Sequence, residues 1–153
     1  GKELARKATS LGMEVLFYDT KDIVCNIPNT RKVDFDNLLK NSDFISIHCD
    51  LNDESKHMFA AKEFSKMKDD SVIINTARGS IINEKDLIVA IQESRIAGAC
   101  LDVFEKEPLA NESPLKGLKN VFLSPHNSNA SPSVFKTVDI KSIENIFEGL
   151  GVN

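Results

Sequence analysis

What the chain lacks narrows the field first. No stretch of its 153 residues comes near the ~18 consecutive apolar residues that a spanning helix requires, so no membrane segment is expected. The first residues carry no apolar signal-peptide core. Lysine and arginine number 19 against 23 acids, a formal net charge of −4, so there is no basic excess to favour nucleic acid as a partner. Cysteine is scarce: Cys25, Cys49 and Cys100 are odd in number, far apart and unlike any metal-ligand spacing. Cys49 and Cys100 lie in or beside apolar runs, so buried, reduced thiols in a cytoplasmic protein are the expectation, with no metal. There is no hairpin signal, no internal repeat and no low-complexity segment.

What remains is an ordinary globular composition, 41% hydrophobic and 27% charged. A chain of this length fits one domain and buries roughly 70% of its unfolded surface.

The organising stretch is SVIINTARGSIINEKDL, residues 71–87. Ser71 to Asn75 is a short β-branched apolar run, as in a strand buried on both faces of a parallel sheet. Thr76-Ala77-Arg78-Gly79 follows at its carboxyl end, where open α/β sheets bind ligands. Asn83 then reads as an N-cap, with Glu84 and Asp86 in the first helical turn.

From the start of the chain, Leu4, Ala5, Ala8 and Leu11 share one helical face, and Gly12 stops that helix. Met13 to Tyr18 reads as a strand ending in Asp19. Helix, strand and acid form the second half of a dinucleotide-binding unit, in which the acid accepts hydrogen bonds from ribose hydroxyls. The preceding strand and the first two glycines of the G-x-G-x-x-G turn are missing, and Gly1 can stand as the third. A fragment is therefore expected: residues 1–153 as a cofactor domain, with any substrate domain absent.

Residues 20–33 read as loop with room for a short strand, and Asp34 caps a short helix that turns Leu38 and Leu39 inward. Phe44 to His48 is the next strand, followed by the loop Cys49 to Asn52. A helix with Phe59, Phe64 and Met67 on its apolar face leads to the central strand. After that strand, a helix buries Leu87, Ala90 and Ile91 and ends near Ser94. Ile96 to Leu101 is a strand ending in Asp102, and residues 103–120 form an irregular loop. Val121 to Ser124 is the last strand, and a closing helix at 132–148 carries Phe135, Val138, Ile143, Ile146 and Phe147. Strands alternating with helices give an α/β fold: a doubly wound, Rossmann-like parallel sheet lacking its first strand.

In such a sheet Arg78, Asp102, Glu107 and His126 follow three different strands and arrive at one edge. A guanidinium there can clamp a carboxylate bidentately, and an imidazole can give or take a proton. A carboxylate beside the imidazole orients it and favours its charged form. Composition alone leaves the plain alternatives open. Arg78 could be a surface arginine, His126 a capping or core histidine, and Glu107 a solvated loop charge.

NTARGSIINEKDL, GACLDVFEKEP and SPHNSNAS, in that order and separation, resemble the signature blocks of the D-isomer-specific 2-hydroxyacid dehydrogenases, a group that includes phosphoglycerate dehydrogenases. HCDLNDESKHMF is similar to the family's H-x-P-L-T-x-x-T segment. The resemblance covers essentially the whole chain. It implies an NAD-dependent oxidoreductase moving hydride between nicotinamide and a small D-2-hydroxy acid or its 2-oxo acid. Arg78 would orient the substrate, Glu107 would pair with His126, and His126 would donate and accept the proton. Asp102 would bind the nicotinamide carboxamide, and Thr76 and Ala77 would line the nicotinamide pocket. Asp19, on the ribose diol, would favour NAD over NADP. Cys49 and Asp50, in the loop near the nicotinamide, and Ser128, in the pocket after His126, would also bind the cofactor. A homodimer built on this domain is also implied, with a phosphoglycerate-type substrate as the first expectation. Glutamate rather than glutamine at Glu107 counts against formate.

Three departures stand out. Without the glycine-rich turn, whose amides bind pyrophosphate, this chain alone should hold NAD weakly and not turn over. Asp50 occupies the family's usual proline position, and SPHNSNAS departs from the commoner P-H-I-G form. The reading from a different class is an NADH-sensing regulatory module of the corepressor type, using the same site without turnover as its main role.

Overall fold

The structure is a computed structural model that describes residues 1–128 and 130–151, apart from the side chains of Ser133 and Phe135. The expectation for Phe135 therefore lies outside the described residues.

Helix α1, Lys2–Ser10, ends at Leu11, and Gly12 turns the chain away at φ +85°, a conformation that suits glycine. Strand β1, Val15–Phe17, pairs in parallel with β2, Thr30–Lys32, the short strand for which residues 20–33 left room. Helix α2, Phe35–Asn41, starts where Asp34 accepts the backbone N–H of Asn37 at 2.8 Å, and Leu39 is fully buried. Then come β3, Phe44–Ile47, and the single-turn helix α3, Ala61–Phe64. Strand β4, Val72–Asn75, leads through a 3-10 turn at Gly79–Ile81 into α4, Glu84–Gln92, with Asn83 accepting from the Asp86 N–H at 3.2 Å. Strand β5, Gly98–Leu101, a second 3-10 turn at Pro114–Gly117, β6, Val121–Leu123, and α5, Pro132–Leu150, complete the chain.

The strands make two parallel sheets, β1-β2 and β3-β4-β5-β6. Every pairing is parallel, which is the Rossmann-like α/β arrangement expected. One face of the larger sheet carries Ile45, Ile47, Ile73, Asn75, Ala99 and Leu101, all buried, above Phe64, Leu87 and Ile96. Val72 and Ile74, on the other face, are only half-buried, and Phe44 and Phe122 are exposed. The expectation that β4 is buried on both faces is thus corrected: one face carries the core and the other is partly open.

Other corrections are local. The helix expected around Phe59, Phe64 and Met67 is one turn. Phe59 instead forms a parallel bridge with Ile82, which takes its backbone out of any helix. No residue of α1 is buried, and Leu11 is 81% exposed. The apolar residues noted along the closing helix, Val138, Ile143, Ile146 and Phe147, are exposed. Cys49 is exposed and Cys25 and Cys100 half-buried, against the expectation of buried thiols; all three are free. Among the described residues no helix is long and apolar enough to cross a membrane.

Candidate active site

Because β4, β5 and β6 are adjacent and parallel, the loops after them share the carboxyl rim of the sheet. Arg78 leaves the β4 loop exposed, its Nη1 donating to the neighbouring Ala77 carbonyl at 2.6 Å. No carboxylate of the described residues lies within ion-pairing distance of it. It borders a cavity of about 400 Å³ lined also by Ile47, His48, Cys49, Asp50, Thr76 and Ala77. An unneutralised guanidinium at the mouth of a concavity is fitted to a planar anion.

Glu107 and His126 come together across the next two loops. His126 Nδ1 donates to Glu107 Oε2 at 2.7 Å, which leaves Nε2 as the ring nitrogen not engaged by the carboxylate. Glu107 Oε1 also accepts from the backbone N–H of Phe104 at 3.0 Å. The bond from His126, joined by that from Phe104, holds the Glu107 carboxyl below its ordinary range despite partial burial. The carboxylate is therefore ionised at neutral pH and can stabilise an imidazolium. The two side chains border a second cavity of about 630 Å³ with Phe104, Pro108, Leu109, Lys116 and Pro125.

His126 itself is held at φ 52°, a left-handed conformation uncommon for a residue with a Cβ. The cause is next to it. Asp102 is 3% exposed, and its Oδ1 accepts from Ser124 Oγ and from the N–H of Asn127 at 3.0 Å. Its Oδ2 accepts the N–H of Ser128 at 3.0 Å. Burial alone would raise this carboxyl; the bonds from Ser124, Ser128 and Asn127 outweigh burial and bring it to about 2. A fixed charge at the end of β5 thus grips the segment on both sides of the histidine. The chemistry of Asp102 as a buried anchor was not legible in its sequence position, and Ser124 carried no signal beyond preceding Pro125-His126.

The remaining expected residues follow other elements as well, Asp19 a strand of the separate β1-β2 sheet. Asp19, just past β1, accepts the Lys21 N–H at 2.8 Å on Oδ1, and among the described residues nothing bonds its Oδ2. That free oxygen fits a ribose diol. Gly1 faces His48: a Cβ on it would lie 3.7 Å from the His48 Cβ. Cys49, Asp50, Thr76 and Ala77 share the Arg78 cavity, whereas Ser128 lies with Asp102. Small side chains at Thr76 and Ala77 beside Arg78 leave this cavity room for a flat ring such as nicotinamide.

Residues 1–128 match the family described as D-isomer specific 2-hydroxyacid dehydrogenase, NAD binding domain. A glyoxylate reductase of Thermococcus litoralis is 44% identical over 133 residues, covering 86% of this chain and 40% of that protein. A hydroxypyruvate reductase of Thermotoga maritima is 37% identical over 154 residues, covering 99% of this chain and 50% of that protein. Among solved structures, the NAD-complexed D-isomer specific 2-hydroxyacid dehydrogenase of Lactobacillus delbrueckii ssp. bulgaricus superposes with a TM-score of 0.86 at 27% identity, covering all of this chain and 50% of that one. The NADPH-dependent glyoxylate/hydroxypyruvate reductase of Sinorhizobium meliloti also gives 0.86, at 28% identity and with the same coverage. The chain thus spans about half the length of the relatives it matches. The match over residues 1–128, on a parallel α/β fold shared with the solved relatives, makes the chain a member of the D-isomer specific 2-hydroxyacid dehydrogenases, within their NAD-binding domain.

Proposed function

We propose that the protein of which this chain forms the NAD-binding part reduces small 2-oxo acids to D-2-hydroxy acids, and runs the reverse reaction. The observation that carries the proposal is the 2.7 Å bond from His126 Nδ1 to an ionised Glu107. It fixes the tautomer, so that Nε2 is the atom offered to substrate. Arg78 takes the substrate carboxylate and sets the carbonyl oxygen toward Nε2. Bound NADH supplies the hydride that reaches the carbonyl carbon. As negative charge develops on the carbonyl oxygen, His126 gives it the Nε2 proton. Glu107 then faces an imidazole that is neutral, and a proton from solvent restores the starting state. Asp102 keeps the histidine segment in its left-handed turn throughout.

Asp19, with one carboxylate oxygen open, supports NAD over NADP, because a 2′-phosphate would meet its negative charge. Relatives named glyoxylate and hydroxypyruvate reductases favour short 2-oxo acids over a phosphorylated one as first substrates to try. A homodimer and a cytoplasmic location belong to the same proposal and rest on the family resemblance alone. The test is a screen of full-length protein with glyoxylate, hydroxypyruvate and larger 2-oxo acids, following loss of NADH absorbance. Oxidation with at least one acid is expected. None with any of them would overturn the enzyme reading and favour an NADH sensor.

A further inference from the structure

Beyond the pair that moves the proton, the geometry points to a second histidine–carboxylate pair, His57 and Glu105, as the latch that fixes the Glu107 loop against the Arg78 loop. This rests on the hydride-transfer reading above and adds two positioning residues to it.

His57 lies outside every helix and strand at φ 53°, where a residue with a Cβ is uncommon. Its backbone N–H donates to the Ser80 carbonyl at 2.8 Å, two residues beyond Arg78. Its ring Nε2 is hydrogen-bonded to Glu105 Oε1, two residues before Glu107. The side chains are 40% and 29% exposed, so the pair is partly sheltered from screening. Glu105 is held from the other side as well: its N–H donates to Glu84 Oε2 at 3.3 Å, at the first residue of α4. Burial pushes the Glu84 carboxyl up, the Glu105 N–H opposes that, and the Glu105 charge adds to it.

The loops also touch directly. A Cβ on Gly79 would lie 1.9 Å from the Phe104 carbonyl carbon and 2.5 Å from the Glu105 nitrogen, so backbone rests on backbone and only glycine fits. From Phe104 the line continues to Glu107 Oε1 at 3.0 Å and through Oε2 to His126 at 2.7 Å. A continuous set of contacts therefore joins the residue that clamps the carboxylate to the residue that moves the proton. His57 links to it from outside both loops, as Glu84 does from α4.

The consequence is a division of labour. Arg78 binds substrate whether or not the latch is closed, but Nε2 of His126 meets the carbonyl oxygen only when the two loops keep their spacing. A misplacement on the order of 1 Å costs up to about 100-fold in rate. The latch should accordingly act on kcat and leave binding alone.

The test uses the full-length protein with Glu105→Gln and His57→Gln, singly and together, assayed with NADH and whichever 2-oxo acid the wild type reduces best. Each single variant is expected to lose about tenfold in kcat. KM for the oxo acid, the NADH Kd and Tm should stay close to wild type, and the double variant should lose no more than either single. Wild-type kcat in the singles, losses that multiply in the double, or a KM rise that accounts for the whole effect would each overturn the latch. A wild type that reduces no 2-oxo acid overturns the underlying reading instead, and the latch with it.

Discussion

Residues 39–115 and the segments that flank them are built differently. Every buried hydrophobic side chain among the described residues lies between Leu39 and Leu115. α1 has no buried residue, β1 and β2 have none, and the described apolar side chains of α5 face solvent in large part. The rim residues divide along the same line. Arg78, Asp102 and Glu107 follow strands of the buried part, while Asp19 stands on the lightly packed β1-β2 sheet. His126 lies beyond the core segment, yet the buried carboxylate of Asp102 reaches it through its neighbours. Proton chemistry needs tighter placement than a ribose hydrogen bond, and the proposed proton-transfer pair is tied to the buried part.

The largest effect expected from this contrast is in the core. Ile73→Ala, at a fully buried position in β4, should cost about 2–5 kcal/mol of unfolding free energy in urea titration. A loss under about 1 kcal/mol would show that β4 does not carry the core.

Next is Asp102→Asn, which removes the charge that spans the two parts. Folding lowers this carboxyl from 3.8 to about 2, so the group stabilises the fold by roughly 2 kcal/mol at neutral pH. The sign is that of a depressed acid: its contribution is complete above about pH 4 and disappears as pH falls toward about 2. The variant should lack that part of the acid-unfolding profile. Parallel profiles for the two proteins would mean that the carboxylate is not held as described.

The smallest effect belongs to the margin. Leu11→Ala, at a side chain 81% exposed, should change stability by no more than about 0.5 kcal/mol in the same titration. A larger loss would show α1 packed more firmly than its exposure indicates.

Most of the fold was legible in the sequence because it is written in local chemistry. Asp34 and Asn83 begin their helices as N-caps, Gly12 closes α1, and the apolar run 71–75 is a strand. The errors share one cause: an apolar pattern records which side chains avoid water, not what covers them. Phe59, Phe64 and Met67 are all buried, but through a strand-like bridge and a single turn rather than one helix face. The α5 residues carry the same kind of pattern and are exposed. At the site, His126 and Glu107 were legible from the order of the sequence blocks, and the structure brings them into contact. The Asp102 anchor and the His57–Glu105 contact were not. They depend on which backbone N–H groups and rings meet across 22 to 48 residues of chain, and no local spacing encodes that.

The most direct measurement is the steady-state kinetics of His126→Asn in the full-length protein, alongside its NADH affinity. Loss of the proton donor should lower kcat about a thousandfold while the NADH Kd stays within about twofold. A variant that keeps wild-type kcat would contradict the assignment of the rim pair as the site of proton transfer.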